Sequence, residues 1–151
     1  VETFGDYVLD LEWKVQKGGN SGVMIRTARP PDWYSGIEIQ LLDSWGKDKP
    51  DKHDAAAIYD CLAPSKNTVK PPGEWNRMVI TCQGPRIQVA LNGEQVIDAD
   101  LDQWTEAGKN PDGTPNKFKV AYKDMPRQGS VLLQGHGSDV WFRNIKIQEL
   151  K

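Results

Sequence analysis

The sequence has little cysteine: Cys61 and Cys82 are the only two among 151 residues. Neither lies in a C-x-x-C pair or beside a histidine, which argues against a zinc site built from thiolates. Two cysteines are also too few to indicate a disulfide-rich secreted scaffold. One disulfide and two buried free thiols are equally compatible with this sequence.

An excess of charge and a long hydrophobic run are also missing. The formal net charge is −2 and charges of both signs are interspersed, which argues against nucleic acid as a partner because nucleic-acid binding favours a basic face. No apolar run reaches the ~20 residues of a membrane span, and no signal peptide is visible. Because the chain opens at Val1 without a methionine, we expect its natural N-terminus to have been removed.

The pattern that dominates the chain is a period of two. From Tyr7 to Val15, apolar residues alternate with mostly polar ones, which predicts a strand with one buried face. GGNS at residues 18–21 and the pair Asn92-Gly93 predict hairpin turns. AAAIYD at residues 55–60 predicts a further strand, and no stretch has a sustained helical period. We therefore predict one all-β domain over residues 1–151, a sandwich or barrel of mostly antiparallel strands.

The segment SGIEIQLLD, residues 35–43, presents polar side chains on one face. Ile37 and Ile39 fall on one side of a strand, and Glu38 and Gln40 on the other. This fits either a solvated strand face or the floor of an active-site groove. The spacing E-x-Q-x-x-D, which ends at Asp43, resembles the catalytic strand of laminarinase-type retaining glucanases. A strand separates the first and last Cα by about 16 Å, however, whereas a retaining mechanism needs carboxyls ~5 Å apart.

Two more polar positions are candidates for a site. In LLQGHG, His136 lies between glycines two residues after Gln134, and it fits a general base, a metal ligand or a turn residue. Arg26, in a strand pattern, fits either a cross-strand ion pair with Glu38 or a contact to a substrate oxygen.

The aromatic residues divide by position. Those in or beside loops are suited to stack on sugar rings, which have an apolar C–H face. They are Trp33, Tyr34, Trp45 and Trp104. Three other tryptophans fall in strand patterns and are predicted to be core, namely Trp13, Trp75 and Trp141.

Five ordered segments carry a family resemblance. They are GGNSGVMIR, SGIEIQLLD, AAIYD, PPGEWNRMVITCQGPRIQVALNG and LLQGHGSDVWFRNIKIQEL. Together they resemble the 3-keto-disaccharide hydrolase domain from Tyr7 to Leu150. The resemblance implies a concanavalin A-like jelly-roll sandwich of two antiparallel sheets in a bacterial, secreted or periplasmic protein. Because the family's domain usually begins with further strands upstream of Tyr7, it also implies that such strands are missing here.

The resemblance further implies a carbohydrate substrate and a site on the concave sheet. The site would combine Arg26, Glu38, Gln40, Asp43, Gln134 and His136. The substrate class is a glycoside oxidised to a ketone at C3, so that a base, Glu38 or His136, can remove the C2 proton and the C1 substituent can leave before water adds. Arg26, or a divalent metal ion held by Glu38, Asp43 and His136, would stabilise the enolate. Gln40 and Gln134 would hold hydroxyls.

The sequence is also compatible with three other hypotheses about function. A non-catalytic carbohydrate-binding module on the same fold needs aromatic rings and amides but no acid–base pair, so Glu38 and His136 would lie far apart. A retaining glucanase is the second alternative. A sandwich that only binds other proteins is the third, and it predicts buried loop tryptophans and a plain ion pair between Arg26 and Glu38.

Overall fold

Two antiparallel sheets make up the structure, a computed structural model that describes residues 2–28 and 35–151. The larger sheet has five strands in the order β6-β5-β4-β1-β8, and the smaller has three in the order β3-β2-β7. The strands are β1 Tyr7–Val15, β2 Asn20–Thr27, β3 Ile37–Leu42, β4 Asn76–Gln83, β5 Arg86–Leu91, β6 Glu94–Asp100, β7 Ser130–Leu133 and β8 Val140–Glu149. Two short 3₁₀ turns, Leu101–Gln103 and Tyr122–Asp124, are the helical elements in the described ranges. The predicted all-β sandwich is confirmed.

Alternation along the strands builds the core. In β1, Tyr7, Leu9, Leu11 and Trp13 are fully buried, and the residues between them are partly exposed. Because the period of a strand is two, one face of β1 meets the inner face of the smaller sheet, which supplies Val23, Ile25, Ile37, Ile39 and Leu41. The hydrophobic core therefore lies between the two sheets, and the predicted core position of Trp13 is confirmed.

The turn after β1 does not make a hairpin. β1 pairs with β4 and β8, whereas β2 pairs with β3 and β7. The chain therefore crosses from one sheet to the other between Val15 and Asn20, and the hairpin predicted from GGNS is wrong. The predicted hairpin at Asn92 and Gly93 does form between β5 and β6, with φ angles of 53° and 84° that suit a type I′ turn.

A short extended segment adds to the edge of the smaller sheet. Ile58 forms an isolated bridge to Ile39, and Tyr59 donates its backbone N–H to the Glu38 carbonyl at 2.9 Å. Ala56 and Asp60, at the ends of this segment, have positive φ angles of 73° and 64°. The strand predicted from AAAIYD is thus reduced to a bridge, because the backbone turns at both of its ends.

Both cysteines are buried free thiols. The Cys61 thiol contacts the Tyr122 hydroxyl at 3.4 Å, and Cys82 lies in β4 within the core. The structure therefore selects the free-thiol alternative. No helix in the described ranges is long and apolar enough to cross a membrane.

Candidate active site

Glu38 is a buried carboxylate on the outer face of the smaller sheet. Its neighbours Ile37 and Ile39 face the core, so Glu38 faces away from it, yet only 8% of Glu38 is exposed. Met24, which pairs with Glu38 on β2, is also buried. This face is therefore covered, and the interpretation as a solvated strand face is wrong.

The environment of Glu38 makes it a stronger base than an ordinary glutamate. Burial raises the pKa of its carboxyl above the ordinary value, because a charge is less stable away from water. The charges of Lys117 and His136 and a hydrogen bond from Gln134 lower the pKa, but burial outweighs them. Such a poised carboxylate is typical of catalytic sites.

Gly22 leaves the space in which Glu38 and Gln134 meet. It lies on β2 opposite Gln40, and its carbonyl accepts a hydrogen bond from the Gln134 backbone N–H at 2.9 Å. A Cβ atom at Gly22 would lie 2.7 Å from Oε1 of Glu38 and 3.1 Å from Oε1 of Gln134. The strand between them must therefore carry glycine at this position for the carboxylate and the amide to approach each other.

Two buried amide oxygens on this face have no partner among the described residues. They are Oε1 of Gln40 and Oε1 of Gln134. The amide nitrogen of Gln40 is already used, since it donates to the His53 carbonyl at 3.2 Å. A buried acceptor without a donor costs free energy, and a sugar hydroxyl supplies such a donor. The two amides are thus suited to bind a polyhydroxylated ligand beside Glu38.

Tyr59 and Lys117 join the site, and the sequence did not single them out. Nζ of Lys117 lies 4.5 Å from the centre of the Tyr59 ring, a cation–π distance. Burial, and then the charges of Glu38 and Asp60, raises the pKa of Tyr59. The only signal for Tyr59 was its place in AAAIYD. Lys117 gave none, because it comes from a polar loop whose path depends on the whole fold.

His53, for which the sequence predicted no role, helps to hold Tyr59 and Lys117 in position. Its Nε2 lies 2.9 Å from Oδ1 of Asp60, and its ring meets that of Tyr59 edge to face, with ring centres 5.1 Å apart. The other oxygen of Asp60 accepts the Lys117 backbone N–H at 2.8 Å. The histidine–aspartate pair therefore holds both Tyr59 and the backbone of Lys117 in place.

His136 lies at the exposed rim of the site. Its side chain is exposed, and its positive charge is close enough to Glu38 to lower the pKa of that carboxyl. The turn that carries it is held by Ser138, whose hydroxyl accepts from the Asn20 backbone N–H at 2.9 Å. His136 therefore lies near enough to Glu38 for a charge on its ring to affect that carboxyl.

Arg26 is placed elsewhere. A β-bulge interrupts β2 between Met24 and Thr27, and Arg26 has a φ angle of 55° there. Its guanidinium donates to the carbonyls of Gly84 at 2.8 Å and Gly5 at 3.2 Å, and it pairs with Asp6 at 3.6 Å. These partners belong to the larger sheet or the segment before it. The predicted ion pair with Glu38 is therefore wrong, and these contacts give no support to a catalytic Arg26.

Asp43 is held in a turn. Its carboxylate accepts the backbone N–H of Gly18 at 2.8 Å and that of Trp45 at 3.4 Å. Within residues 2–28 and 35–151, no three histidine, cysteine, aspartate or glutamate side chains come together as a metal site. The predicted ligand set of Glu38, Asp43 and His136 is therefore not assembled.

The predicted aromatic rim is only partly present. Trp45 is 57% exposed and remains available. Trp104 is only 3% exposed, because its Nε1 donates to Asn110 at 3.0 Å and its ring packs against Tyr122. Trp104 is therefore core and not rim. The other two predicted rim residues, Trp33 and Tyr34, lie outside the described residues.

The prediction that Trp75 and Trp141 are core is wrong. Trp141 is exposed and Trp75 is partly exposed. Lys14 lies 4.9 Å from the ring centres of both tryptophans. Both rings therefore lie on the outer face of the larger sheet, on the opposite side of the sandwich from Glu38.

Comparison with known proteins identifies the family. The model of a family described as the 3-keto-alpha-glucoside-1,2-lyase-like domain matches residues 1–148. The chain belongs to this family. A curated relative, the 3-keto-disaccharide hydrolase of Bacteroides thetaiotaomicron, is 30% identical over 97% of this chain. The chain spans only 59% of the length of that relative. The predicted family resemblance is confirmed.

Solved structures agree with this lyase-like domain family. A candidate glycosyl hydrolase of Parabacteroides distasonis is 39% identical with a TM-score of 0.90, over 99% of this chain and 80% of its own. A second candidate glycosyl hydrolase of that species has a TM-score of 0.80 at 23% identity, over 100% of this chain and 75% of its own. The second similarity supports the fold alone.

Proposed function

We propose that this domain cleaves glycosides that carry a ketone at C3, by removal of the C2 proton, elimination and hydration. The observation that carries the proposal is the buried Glu38, whose raised pKa suits a general base and which lies beside two buried amide oxygens without partners. The names of the relatives support the substrate class. Export of the protein to the periplasm or the cell exterior stays a prediction.

The chemistry balances with one base. The Glu38 carboxylate takes the proton from C2, and the C2–H electron pair forms an enolate with the C3 ketone. The enolate then re-forms the ketone, a double bond forms between C1 and C2, and the C1–O bond breaks with its electrons on the leaving oxygen, which takes a proton. Water adds to C1, and C2 regains a proton. The net result is hydrolysis without an oxocarbenium ion.

Each neighbouring group has a distinct part in this proposal. Lys117 supplies positive charge for the enolate oxygen, in place of the predicted Arg26, because its charge reaches Glu38. Gln40 and Gln134 accept hydrogen bonds from sugar hydroxyls through their free oxygens. His136, at the exposed rim, is suited to exchange protons with water. We assign the base to Glu38 and not to His136, because only Glu38 is buried beside the amides.

The test compares a ketone with its parent sugar. The protein is incubated in D₂O with 3-keto-trehalose or with trehalose, and products are followed by NMR. We expect free sugars from the ketone alone, with deuterium at C2. Glu38→Gln is expected to lose 10²–10⁴-fold in kcat/KM, as for removal of a general base. Glu149→Gln, an exposed carboxylate at the end of β8, is the matched control and keeps full activity.

The same experiment separates the alternatives. Equal cleavage of both sugars, with no deuterium at C2, indicates an ordinary glycosidase and contradicts the proposal. Binding of unoxidised sugars with no turnover of the ketone indicates a carbohydrate-binding module. A retaining glucanase is disfavoured already, because the second carboxylate it needs, Asp43, is held by Gly18.

A further inference from the structure

A cavity of about 590 Å³ has Lys117, whose charge acts on Glu38, as one of its lining residues. This volume lies within the range that small-molecule pockets occupy. Much of its wall is apolar and comes from one stretch of the chain, with Phe118, Val120, Met125 and Pro126 as lining residues. Val120 is 52% exposed, so part of this apolar wall is accessible to a ligand. The proposed mechanism does not use this cavity.

Among the described residues, the charged ones that line the cavity are all cations. They are Arg26, Lys117 and Lys119, and none of its described lining residues is acidic. Lys119 has no hydrogen bond or ion pair with another described residue. Nε of the buried Arg26 also lacks a partner within the described part of the chain. Arg26 pairs with Asp6, so the unpaired positive charge of the cavity is that of Lys119. An apolar wall beside an unpaired cation favours a ligand that is apolar and carries a negative charge.

Lys117 connects the cavity to the reacting centre. It lines the cavity, its Nζ lies 4.5 Å from the centre of the Tyr59 ring, and its charge acts on Glu38. A sugar held beside Glu38 would therefore have the cavity within reach of one of its substituents. In an elimination from C1, the substituent that must be accommodated beyond the sugar is the leaving group.

We propose that this cavity holds the leaving group, and that the preferred leaving group is an aromatic ring that carries an acidic group. This inference rests on the proposed function. A second sugar ring would bury hydroxyls against Phe118, Val120 and Met125, which offer them no partner. An aromatic ring fills that apolar space, and its acidic group meets Lys119.

Binding is tested first, without turnover. Fluorescence titration measures the affinity of the protein for 6-hydroxy-2-naphthoate and for its uncharged analogue 2-naphthol. We expect the naphthoate to bind at least about tenfold more tightly at low salt, with the difference shrinking as salt rises. Lys119→Ala is expected to weaken the naphthoate about three- to tenfold, and Val120→Asp by more. Lys123→Ala, an exposed lysine that does not line the cavity, leaves both affinities unchanged.

Turnover is tested next, with the 3-keto-glucosides of both naphthols in both anomers and with 3-keto-trehalose. We expect the naphthoate glucoside to have the highest kcat/KM, and Lys119→Ala to reduce its advantage over the 2-naphthol glucoside.

Three outcomes would contradict these expectations. Equal binding of the two probes, or naphthoate binding that is unchanged in both Lys119→Ala and Val120→Asp, overturns the inference. Cleavage of 3-keto-trehalose with no preference for the naphthoate overturns it but leaves the proposed function standing. If no 3-keto-glycoside is cleaved, the proposed function fails and the leaving-group assignment fails with it.

Discussion

The side chains of Glu38 and Gln134 approach each other above Gly22, although the strand and the turn that carry them are not neighbours in the sheet. β2 lies between them, and they meet only because Gly22 has no side chain above the strand. A carboxylate of raised pKa, an amide donor and an amide oxygen without a partner are thereby gathered over one glycine. This arrangement gives a plain strand face the groups that the proposed site needs.

The pH dependence of turnover follows from the raised pKa of Glu38. The base must be ionised, so kcat/KM is expected to fall as the pH drops through the pKa of this carboxyl, which lies above its ordinary value of 4.5. Initial rates with 3-keto-trehalose across the acid range measure this decrease, the acid limb of the pH profile. In Glu38→Gln the limb should disappear from the residual activity. A limb at or below the ordinary value would show that Glu38 is not the base.

The same pKa shift predicts that Glu38 destabilises the fold at neutral pH. A folded-state pKa above the unfolded one means that the folded protein binds the proton more tightly, so stability falls as pH rises through the folded value. Glu38→Gln removes this cost and is expected to unfold at higher urea concentration at pH 7, with little gain well below the ordinary value. Urea unfolding at both pH values measures it. A loss of stability at pH 7 would contradict the burial effect.

Gly22→Ala is expected to damage the site more than the fold. The added Cβ meets Oε1 of Glu38 at 2.7 Å and Oε1 of Gln134 at 3.1 Å, which are the ends of flexible side chains that can move away. We expect kcat/KM to drop about 10- to 100-fold, because small displacements of catalytic groups are costly, while the melting temperature changes little. Gly5→Ala, where the added Cβ finds only one ordinary contact at 3.7 Å, is the control. A large loss of stability in Gly22→Ala with unchanged activity per folded molecule would reverse the assignment.

Much of the fold follows from the sequence because it depends on local alternation. The strands and the faces of Glu38, Gln40 and Gln134 were predictable from a period of two. The pairing of β1 was not, because a turn of glycines fits a hairpin and a crossover between sheets equally well. Only the core, which needs β1 between β4 and β8, decides between them.

The remaining site residues were not predictable, for three different reasons. Arg26 left its expected face because a bulge with positive φ redirects the strand. Trp104 is buried and not at the rim, because Asn110 accepts a hydrogen bond from its indole N–H inside the protein. Lys117 entered the site because the loop that carries it is held by Asp60. Each outcome depends on contacts between distant parts of the chain, which periodicity does not record.

Arg26 is expected to stabilise the fold. Only 1% of it is exposed, and Arg26→Met leaves the carbonyls of Gly84 and Gly5 without their donors. We expect a loss of about 2–4 kcal/mol in the free energy of unfolding, typical of a broken buried network. Urea unfolding measures the loss. Arg86→Met, which breaks the exposed pair with Asp98, is the control and should cost much less; similar costs for both would argue against this structural role.

The two cysteines are expected to be unreactive in the folded protein. Burial raises the pKa of Cys61 to about 12 and that of Cys82 to about 11, so almost no thiolate, the reactive form, is present at pH 8. Ellman's reagent should therefore label neither thiol in buffer and both in guanidinium chloride, with no disulfide to reduce first. The rate of labelling in buffer should follow the rate of unfolding, so destabilising Arg26→Met should accelerate it. Rapid labelling of one thiol in the stable protein would contradict its burial, and labelling that requires a reductant even after unfolding would mean that Cys61 and Cys82 are bonded.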